Sequence, residues 1–168
     1  MRAGVRSTAT MAALCSILLL GAMWGWSAVT EPFPGKVDAP VCEAKAVAKG
    51  DKVYPAQVVV SVYNAGSRLG LAGQTMELFT GGGFHEGDMG NAPEGTKVPV
   101  VQIWTTEPRN PATRLVESRL GPAHKVVKKD GPGAGVTVVV GDGFHKMVRG
   151  PRFVVARTDT EICAPPLN

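Results

Sequence analysis

Runs of β-branched residues alternate with helically spaced apolar residues along most of the chain. Residues 57–63 (QVVVSVY) and 136–140 (VTVVV) are rich in valine and bounded by turn residues, which predicts two buried strands. Two stretches between them carry apolar residues three and four positions apart, which predicts two helices. The expected apolar faces are Leu69, Ala72, Met76 and Phe79 on the first helix and Ala112, Leu115, Val116 and Leu120 on the second.

Turn residues predict where these helices begin and end. Glycines 81–83 follow the first helix, which we expect over residues 71–80. Asn110 followed by Pro111 predicts the N-cap and first position of the second helix, which Gly121 and Pro122 end. Further strands are predicted at residues 84–89, 98–104, 123–128 and 153–156. Because proline cannot donate to a ladder, Pro99 predicts that the third strand starts at a sheet edge.

The resulting order of strand, helix, strand, strand, helix, strand predicts an α+β fold. It matches the ferredoxin-like βαββαβ sandwich, in which two helices cover one face of a mixed sheet. We expect an extra terminal strand and one preceding transmembrane helix. The expected organisation is a cytoplasmic N-terminus (1–6), a membrane anchor (7–30), an extended spacer (31–56), the α/β domain (57–156) and a C-terminal tail (157–168).

The anchor is predicted from a charge-free segment. Residues 7–30 contain no charged residue, and about 20 apolar residues suffice to span a hydrocarbon core of about 30 Å. Arginines precede the segment and Glu31 follows it, so we expect a cytoplasmic N-terminus and an extracytoplasmic domain. Trp24 and Trp26 would then lie at the outer membrane interface.

Two other features of this segment are open to interpretation. Small residues at Gly25 and Ser27 would also suit a cleaved signal peptide, although the apolar run is longer than a typical signal core. Gly21 and Gly25 form a GxxxG spacing that would permit a weak homodimer through the helix.

Composition and cysteines narrow the class of protein. With 44% apolar and 19% charged residues in 168, the chain has enough apolar sequence for one domain. The net charge of +4 includes Arg2 and Arg6, and the remainder is too small to predict nucleic-acid binding. Cys42 and Cys163 flank the domain and predict a disulfide in an oxidising compartment, with free or partner-linked thiols as the alternative.

Several spaced motifs resemble one family. These are VVVSVYNAGSRLGLAGQTMELFTGGGF from residue 58, NPATRLVESRL from residue 110 and GVTVVVGDGF from residue 135. Over residues 57–144 they resemble the C-terminal domain of the LytR family, and the whole chain is similar to actinobacterial envelope integrity proteins that carry this domain alone. The resemblance implies an accessory or interaction module in the cell envelope, without the phosphotransferase domain of full-length LytR proteins.

One loop is a candidate ligand site. Asn64, Gly66, Arg68 and Gly70 lie just before the first helix, where free N–H groups and the helix dipole favour an anion such as a sugar phosphate or a carboxylate. The alternative is a tight turn that needs glycine and asparagine for its backbone geometry.

The histidines and lysines allow weaker interpretations. His85, His124 and His145 have acidic neighbours in sequence (Glu86, Asp88 and Asp142), but no metal-binding spacing occurs, so we predict no metal and no cofactor. Lys125, Lys128 and Lys129 could meet anionic lipid or wall polymer, or form a solvated strand end.

These patterns predict a binding protein and not an enzyme. There is no GxSxG and no CxxC. We expect a membrane-anchored extracytoplasmic binding or scaffolding protein that supports the cell envelope by contacting an envelope protein or a cell-wall glycopolymer. The alternative is a small cell-wall hydrolase or transferase, which would need a concave pocket with convergent polar groups and a perturbed titratable residue.

Overall fold

The structure, a computed structural model, describes residues 11, 14–22 and 41–166. The chain divides into two compact units, Met1–Asp38 and Ala39–Asn168. In the first unit, residues 11 and 14–22 are helical. Their large apolar side chains are all exposed, namely Met11, Leu14, Ile17, Leu18, Leu19 and Leu20.

The predicted membrane anchor falls largely outside the described residues, as do Trp24, Trp26 and Gly25. No helix among residues 11, 14–22 and 41–166 is long and apolar enough to cross a membrane. The anchor, its interfacial tryptophans and the weak homodimer therefore stay predictions.

The second unit is an α+β domain. In chain order its elements are β1 (Glu43–Val47), β2 (Lys52–Val53), a 3-10 turn (Pro55–Gln57), β3 (Val59–Asn64), α1 (Leu71–Gly81), β4 (His85–Asn91), β5 (Val101–Trp104), α2 (Pro111–Glu117), β6 (His124–Val127), β7 (Val136–Val140), β8 (Val154–Val155) and β9 (Thr160–Ala164). The strands predicted from valine-rich runs and both predicted helices are therefore confirmed, but α2 ends at Glu117, so Leu120 is buried in the turn after the helix and not on its face.

Five strands form a mixed sheet in the order β4-β3-β7-β5-β6. Strand β3 runs parallel to β4 and β7, and β5 runs parallel to β6 and antiparallel to β7. Both helices pack on one face of this sheet. Their buried residues, including Phe79 of α1 and Leu115 of α2, share one apolar cluster with Val62 of β3 and Val138 of β7.

Loops cover the other face of the sheet. There Val139 and Trp104 form a second cluster with Val98, which lies in the loop between β4 and β5. The loop between β6 and β7 also lies close to this face, since a Cβ at Gly133 would be 2.6 Å from the Ser61 hydroxyl oxygen. Ser61 donates to the carbonyl of Ala134 in this loop at 2.6 Å.

Two short antiparallel ribbons connect the ends of the domain. Strand β1 pairs with β9, and β2 pairs with β8. A disulfide joins Cys42 to Cys163 at a Cα–Cα distance of 5.3 Å beside the first ribbon, which confirms the predicted pairing. Residues 43–57 are therefore part of the folded domain, whereas we expected a spacer as far as residue 56.

The strand order differs from the ferredoxin-like prediction. In a split βαβ arrangement a strand of one unit separates the strands of the other, but here β3 lies next to β4, and β5 next to β6. The extra strand β7 lies in the centre and not at a terminus. All five residues of β7 are buried, whereas the edge strands β4 and β6 carry exposed polar residues, so the most apolar strand takes the central position.

Two local predictions were wrong. Leu69 was expected on the buried face of the first helix, but Gly70 is the N-cap at a φ of 73°, so Leu69 lies outside the helix and is 94% exposed. Pro99 was expected at a sheet edge, but β5 starts at Val101 and pairs with β6 and β7 on its two sides. Pro99 precedes the strand and removes no ladder hydrogen bond.

Candidate functional site

Two motif-bearing loops leave the same end of the sheet. Strands β3 and β7 are parallel neighbours, and Asn64 is aligned with Val140 at their carboxyl ends. The backbone N–H of Ala65 donates to the carbonyl of Val140 at 2.8 Å. Residues 64–70 and 141–144 therefore lie side by side, and we call them the loop pair. The carboxyl edge of parallel strands is a common place for ligand sites in α/β folds.

Asn64 fixes the shape of the first loop. Its side-chain oxygen accepts from the N–H of Gly66 at 2.8 Å, and its side-chain amide donates to the carbonyl of Arg68 at 2.8 Å. An asparagine that bonds to its own backbone two residues on is typical of an Asx turn. The asparagine predicted to line a ligand loop therefore serves as an internal brace.

The carboxylate of Asp142 occupies the amide donors of this loop. It accepts from the N–H of Ser67 at 2.9 Å, from the Ser67 hydroxyl at 3.0 Å and from the N–H of Arg68 at 3.0 Å. These bonds, led by that from the Ser67 N–H, hold the pKa of Asp142 below its ordinary value. The amides that we predicted to bind an external anion thus bind an anion supplied by the same chain.

Arg68 completes the connection from the first loop to the second. Its guanidinium donates to the carbonyl of Phe144 at 3.0 Å and to that of Asp142 at 3.3 Å. It also lies 3.5 Å from Nδ1 of His145. Arg68 therefore points along the second loop and caps its carbonyls, since an arginine presents several donors in a fixed fork.

Glycines allow the close approach of these backbones. A Cβ at Gly66 would lie 2.3 Å from Oδ1 of Asp142, and one at Gly141 would lie 1.6 Å from the carbonyl oxygen of Val98. The N–H of Gly141 donates to Val100 at 2.8 Å, so the segment before β5 forms a third wall. The Gly-Asp-Gly sequence is therefore required by close packing.

The predicted ligand loop is thus brought together with residues from the far end of the sequence. Asn64, Gly66 and Arg68 all contact or closely approach groups within the loop pair, and Gly70 starts α1 through its left-handed backbone. An external anion would have to displace Asp142 to reach the amides of Ser67 and Arg68. Binding of a ligand to this loop stays a prediction.

The three histidines lie on different elements. His85 is exposed on β4, His145 lies beside Arg68, and His124 is on β6. No group of three or more histidine, cysteine, aspartate or glutamate side chains within residues 11, 14–22 and 41–166 is placed to hold a metal ion.

The pKa of His124 is shifted, as the enzyme alternative would require, but each of its ring nitrogens contacts an oxygen atom of the protein. Nε2 lies 2.9 Å from a carboxylate oxygen of Glu117, and Nδ1 contacts the carbonyl of Gly121. Burial lowers the pKa of His124, but the bonds to Gly121 and Glu117 outweigh burial and raise the pKa above its ordinary value. Because both nitrogens face oxygen acceptors, this geometry favours the protonated ring and leaves no lone pair to act as a base.

A cleft of about 480 Å³ surrounds this ion pair. Arg114, Ser118 and His124 line one side of the cleft, and Pro151 and Val154 line the other. The Ser118 hydroxyl donates to the carbonyl of Leu115 at 2.6 Å and is not directed to His124. The cleft therefore has polar groups without an assembled nucleophile and base.

The lysine cluster is partly engaged in packing. Nζ of Lys129 lies 3.8 Å from the centre of the Trp104 ring, which is a cation–π contact. Lys125 and Lys128 are exposed on and beside β6.

Sequence reasoning missed the segment that follows the loop pair. Residues 145–157 cross α2 and contain Lys146, Arg149, Arg152 and Arg157 without any acidic residue. The sequence signal that would have identified this segment is four cations without an acidic residue, a pattern that residues 118–129 share.

The fold and the loop pair define a small disulfide-linked α+β domain whose motif residues bond to one another. Residues 57–144 match the family described as "LytR cell envelope-related transcriptional attenuator", and the chain belongs to this family. The resemblance inferred from the motifs is therefore confirmed, with the same residue bounds.

One solved structure is similar to this domain. It is the soluble domain of a conserved hypothetical secreted protein from Mycobacterium marinum, which is 22% identical, with a TM-score of 0.48, over 60% of this chain and 77% of that one. No curated protein is significantly similar to the chain.

Proposed function

We propose that this protein is a membrane-anchored, extracytoplasmic binding or scaffolding domain that supports the cell envelope without catalysis. The observation that carries the proposal is that the residues of the family motifs bond to one another within the loop pair. Asn64, Arg68 and Asp142 hold two loops together and present no reactive group.

The disulfide supports an extracytoplasmic location. Disulfides persist in oxidising compartments and are rare in the cytosol, and Cys42–Cys163 closes a chain separation of 121 residues. The exposed apolar side chains of residues 14–20 support attachment to a membrane, because such a surface is costly in water. The N-terminus would then be cytoplasmic, as the arginines before the segment predict.

The partner that we propose is an envelope protein or a cell-wall glycopolymer. The description of the family relates it to the cell envelope. Because the motif residues bond to one another, we expect a partner to contact other residues on the surface of the domain. A hydrolase or transferase role is less well supported, since His124 is bonded at both nitrogens and Ser118 bonds to its own helix.

Thiol labelling of intact cells tests the location. A Cys15→Ser chain leaves only the two disulfide cysteines to report. We expect a membrane-impermeant reagent to label Cys42 and Cys163 after treatment with an impermeant reductant, without lysis. Labelling that requires lysis would place the domain in the cytosol and overturn the proposal.

Deletion and complementation test the role. We expect cells that lack the protein to become sensitive to detergent, and the full chain to restore resistance. Crosslinking of the full chain in those cells should recover a protein or wall polymer. Normal resistance in the deletion strain, together with no crosslinked product, would count decisively against an envelope function.

A further inference from the structure

A basic segment follows the loop pair and lies outside the matched residues. We call residues 145–157 the basic strap. It carries Lys146, Arg149, Arg152 and Arg157 and no acidic residue, so its charge equals the net charge of +4 of the whole chain. Residues 118–129 are a second stretch with four cations and no acidic residue, so the strap is one of two basic segments of the domain.

The cations of the strap are not used to hold it in place. Within residues 11, 14–22 and 41–166, the side chains of Lys146, Arg149, Arg152 and Arg157 form no ion pair, the pair of His124 with Glu117 being the one ion pair there. All four residues are exposed. An anion that binds these cations would therefore not have to displace an internal ion pair.

Other residues fasten the strap to α2 and to the turn after it. The N–H of Val148 donates to the carbonyl of Arg119 at 2.8 Å, and the Arg119 guanidinium donates to Pro151 at 2.9 Å. The guanidinium of Arg114 donates to the carbonyl of Val155 at 3.2 Å. The backbone of the strap is thus held in place by residues other than its four exposed cations.

Two aromatic rings pack together where Phe153 follows Arg152 in the strap. The rings of Tyr54 and Phe153 are 5.6 Å apart, and Nζ of Lys52 is 4.7 Å from the centre of the Phe153 ring. Val53 pairs with Val154 and both are buried, so Lys52, Tyr54 and Phe153 lie on the outer side of this ribbon. Tyr54 is 43% exposed, which leaves part of an aromatic surface facing solvent.

We propose that Arg149 and Arg152, together with Phe153, Tyr54 and Lys52, bind an acidic polysaccharide, that is, a chain of sugar rings that bear carboxylate or phosphate groups. Arginine forks match carboxylate and phosphate oxygens. The partly positive C–H groups of a sugar ring pack against the negative face of an aromatic ring.

The aromatic pair favours a polysaccharide over a lipid surface. Phe153 is partly buried against Tyr54 and Lys52, so it offers a surface for packing and does not protrude to insert into a bilayer. The inference rests on the proposed function only in that an acidic polymer must be present where the domain is located.

Binding of the purified full chain in neutral detergent tests the inference. The probes are polygalacturonate, which has rings and carboxylates, polyglutamate, which has carboxylates without sugar rings, phosphorylated dextran and unmodified dextran. We expect binding to polygalacturonate and phosphorylated dextran but not to dextran. The R149Q/R152Q chain should bind about tenfold more weakly at low salt, because two charge-assisted contacts are lost.

Matched variants separate charge from ring recognition. The K125Q/K128Q chain loses the same charge on β6 and should bind as the unaltered chain does. Phe153→Leu should weaken polygalacturonate binding about threefold and leave polyglutamate binding unchanged. If Phe153→Leu lowers the melting temperature, Tyr54→Leu at the more exposed ring takes its place.

Three results would overturn the inference. They are an equal loss of binding in K125Q/K128Q, equal binding of both carboxylate polymers in every variant, and strap-dependent binding to phosphatidylglycerol vesicles that exceeds binding to the polysaccharides. These measurements use purified protein, so their failure leaves the complementation result intact. A failed complementation with intact polysaccharide binding would instead remove the proposed function.

Discussion

The loop pair and the basic strap are adjacent in sequence but use their charged groups in opposite ways. In the loop pair, Asp142 accepts bonds from Ser67 and Arg68, and the Arg68 guanidinium bonds to two carbonyls of the second loop. In the strap, Arg149 and Arg152 have no bonded partner among the residues that the structure describes. The charged groups of the loop pair bond within the loop pair, whereas Arg149 and Arg152 of the strap are exposed without a bonded partner.

This difference coincides with the limit of the family match. The match ends at residue 144, where the loop pair ends, and the strap begins at residue 145. The part of the chain that is shared with the family builds the five-stranded sheet and both helices, and the arginines proposed to bind lie shortly after it. In the proposal above, the matched residues supply the scaffold, and the strap supplies Arg149, Arg152 and Phe153 for binding.

The largest expected effect breaks the loop pair. Gly141→Ala places a Cβ 1.6 Å from the carbonyl oxygen of Val98, so the backbone must move. We expect a loss of about 3 kcal/mol in the free energy of unfolding, as for overpacked sites. Chemical denaturation measures it.

Gly73→Ala is the matched control for this change. Gly73 lies within α1, and a Cβ there meets nothing within 4 Å. Alanine should stabilise the helix by about 1 kcal/mol. Equal effects of the two alanines would show that the close approach at Gly141 does not exist in solution.

Local sequence patterns predicted most elements of the fold but not their arrangement. The valine run of β7 and the Asn110–Pro111 cap of α2 act over a few residues, and the Asn110 side chain indeed accepts from the N–H of Ala112 at 2.9 Å. Strand β7 lies between β3 and β5, where a strand is most deeply buried. The order of the elements along the chain does not encode this position. Strand β1 was missed because its partner β9 lies more than 100 residues away.

The candidate site was predicted only in part, again because local patterns do not show which distant segments meet. The loop at residues 64–70 was identified from its glycines and its position before a helix. The partner of its amides, Asp142, lies 75 residues from Ser67, and no local pattern connects the two. Tyr54 and Phe153 are likewise brought together only by the pairing of β2 with β8.

Acidification should open the loop pair at Asp142. A lowered pKa in the folded state gives stability that is present above the unfolded pKa of about 3.9 and is lost as the pH falls through the folded pKa. We expect Asp142→Asn to be less stable than the unaltered chain at neutral pH, by less than Gly141→Ala. The difference should close as the pH falls below about 4.

Urea midpoints measured from about pH 7 to pH 2 check this prediction, since linkage relates their slope to proton uptake. Glu77→Gln removes an exposed carboxylate of α1 and should leave the pH profile unchanged. A constant gap between Asp142→Asn and the unaltered chain at every pH would show that the carboxylate is not bonded.

The His124 pair should respond in the opposite pH direction. Its raised pKa gives stability that is present below the unfolded value of about 6.5 and is lost as the pH rises through the folded pKa. Because the pair is partly exposed, we expect His124→Gln to cost less than about 1 kcal/mol at pH 6 and nothing at pH 9. His85→Gln, at an exposed position of β4, should show no such difference. A cost that grows with pH would contradict the bonded, protonated ring.

The smallest effect on stability is expected where the proposed binding effect is largest. Arg149→Gln with Arg152→Gln removes two unpaired, exposed cations, so the free energy of unfolding should change by less than about 0.5 kcal/mol. Arg119→Gln is the contrasting change, since its guanidinium donates to Pro151 at 2.9 Å and lies over the Phe84 ring at 5.9 Å. A larger loss of unfolding free energy in the strap variant than in Arg119→Gln would mean that the strap cations stabilise the fold. The distinction between bonded charges in the loop pair and unbonded charges in the strap would then be wrong.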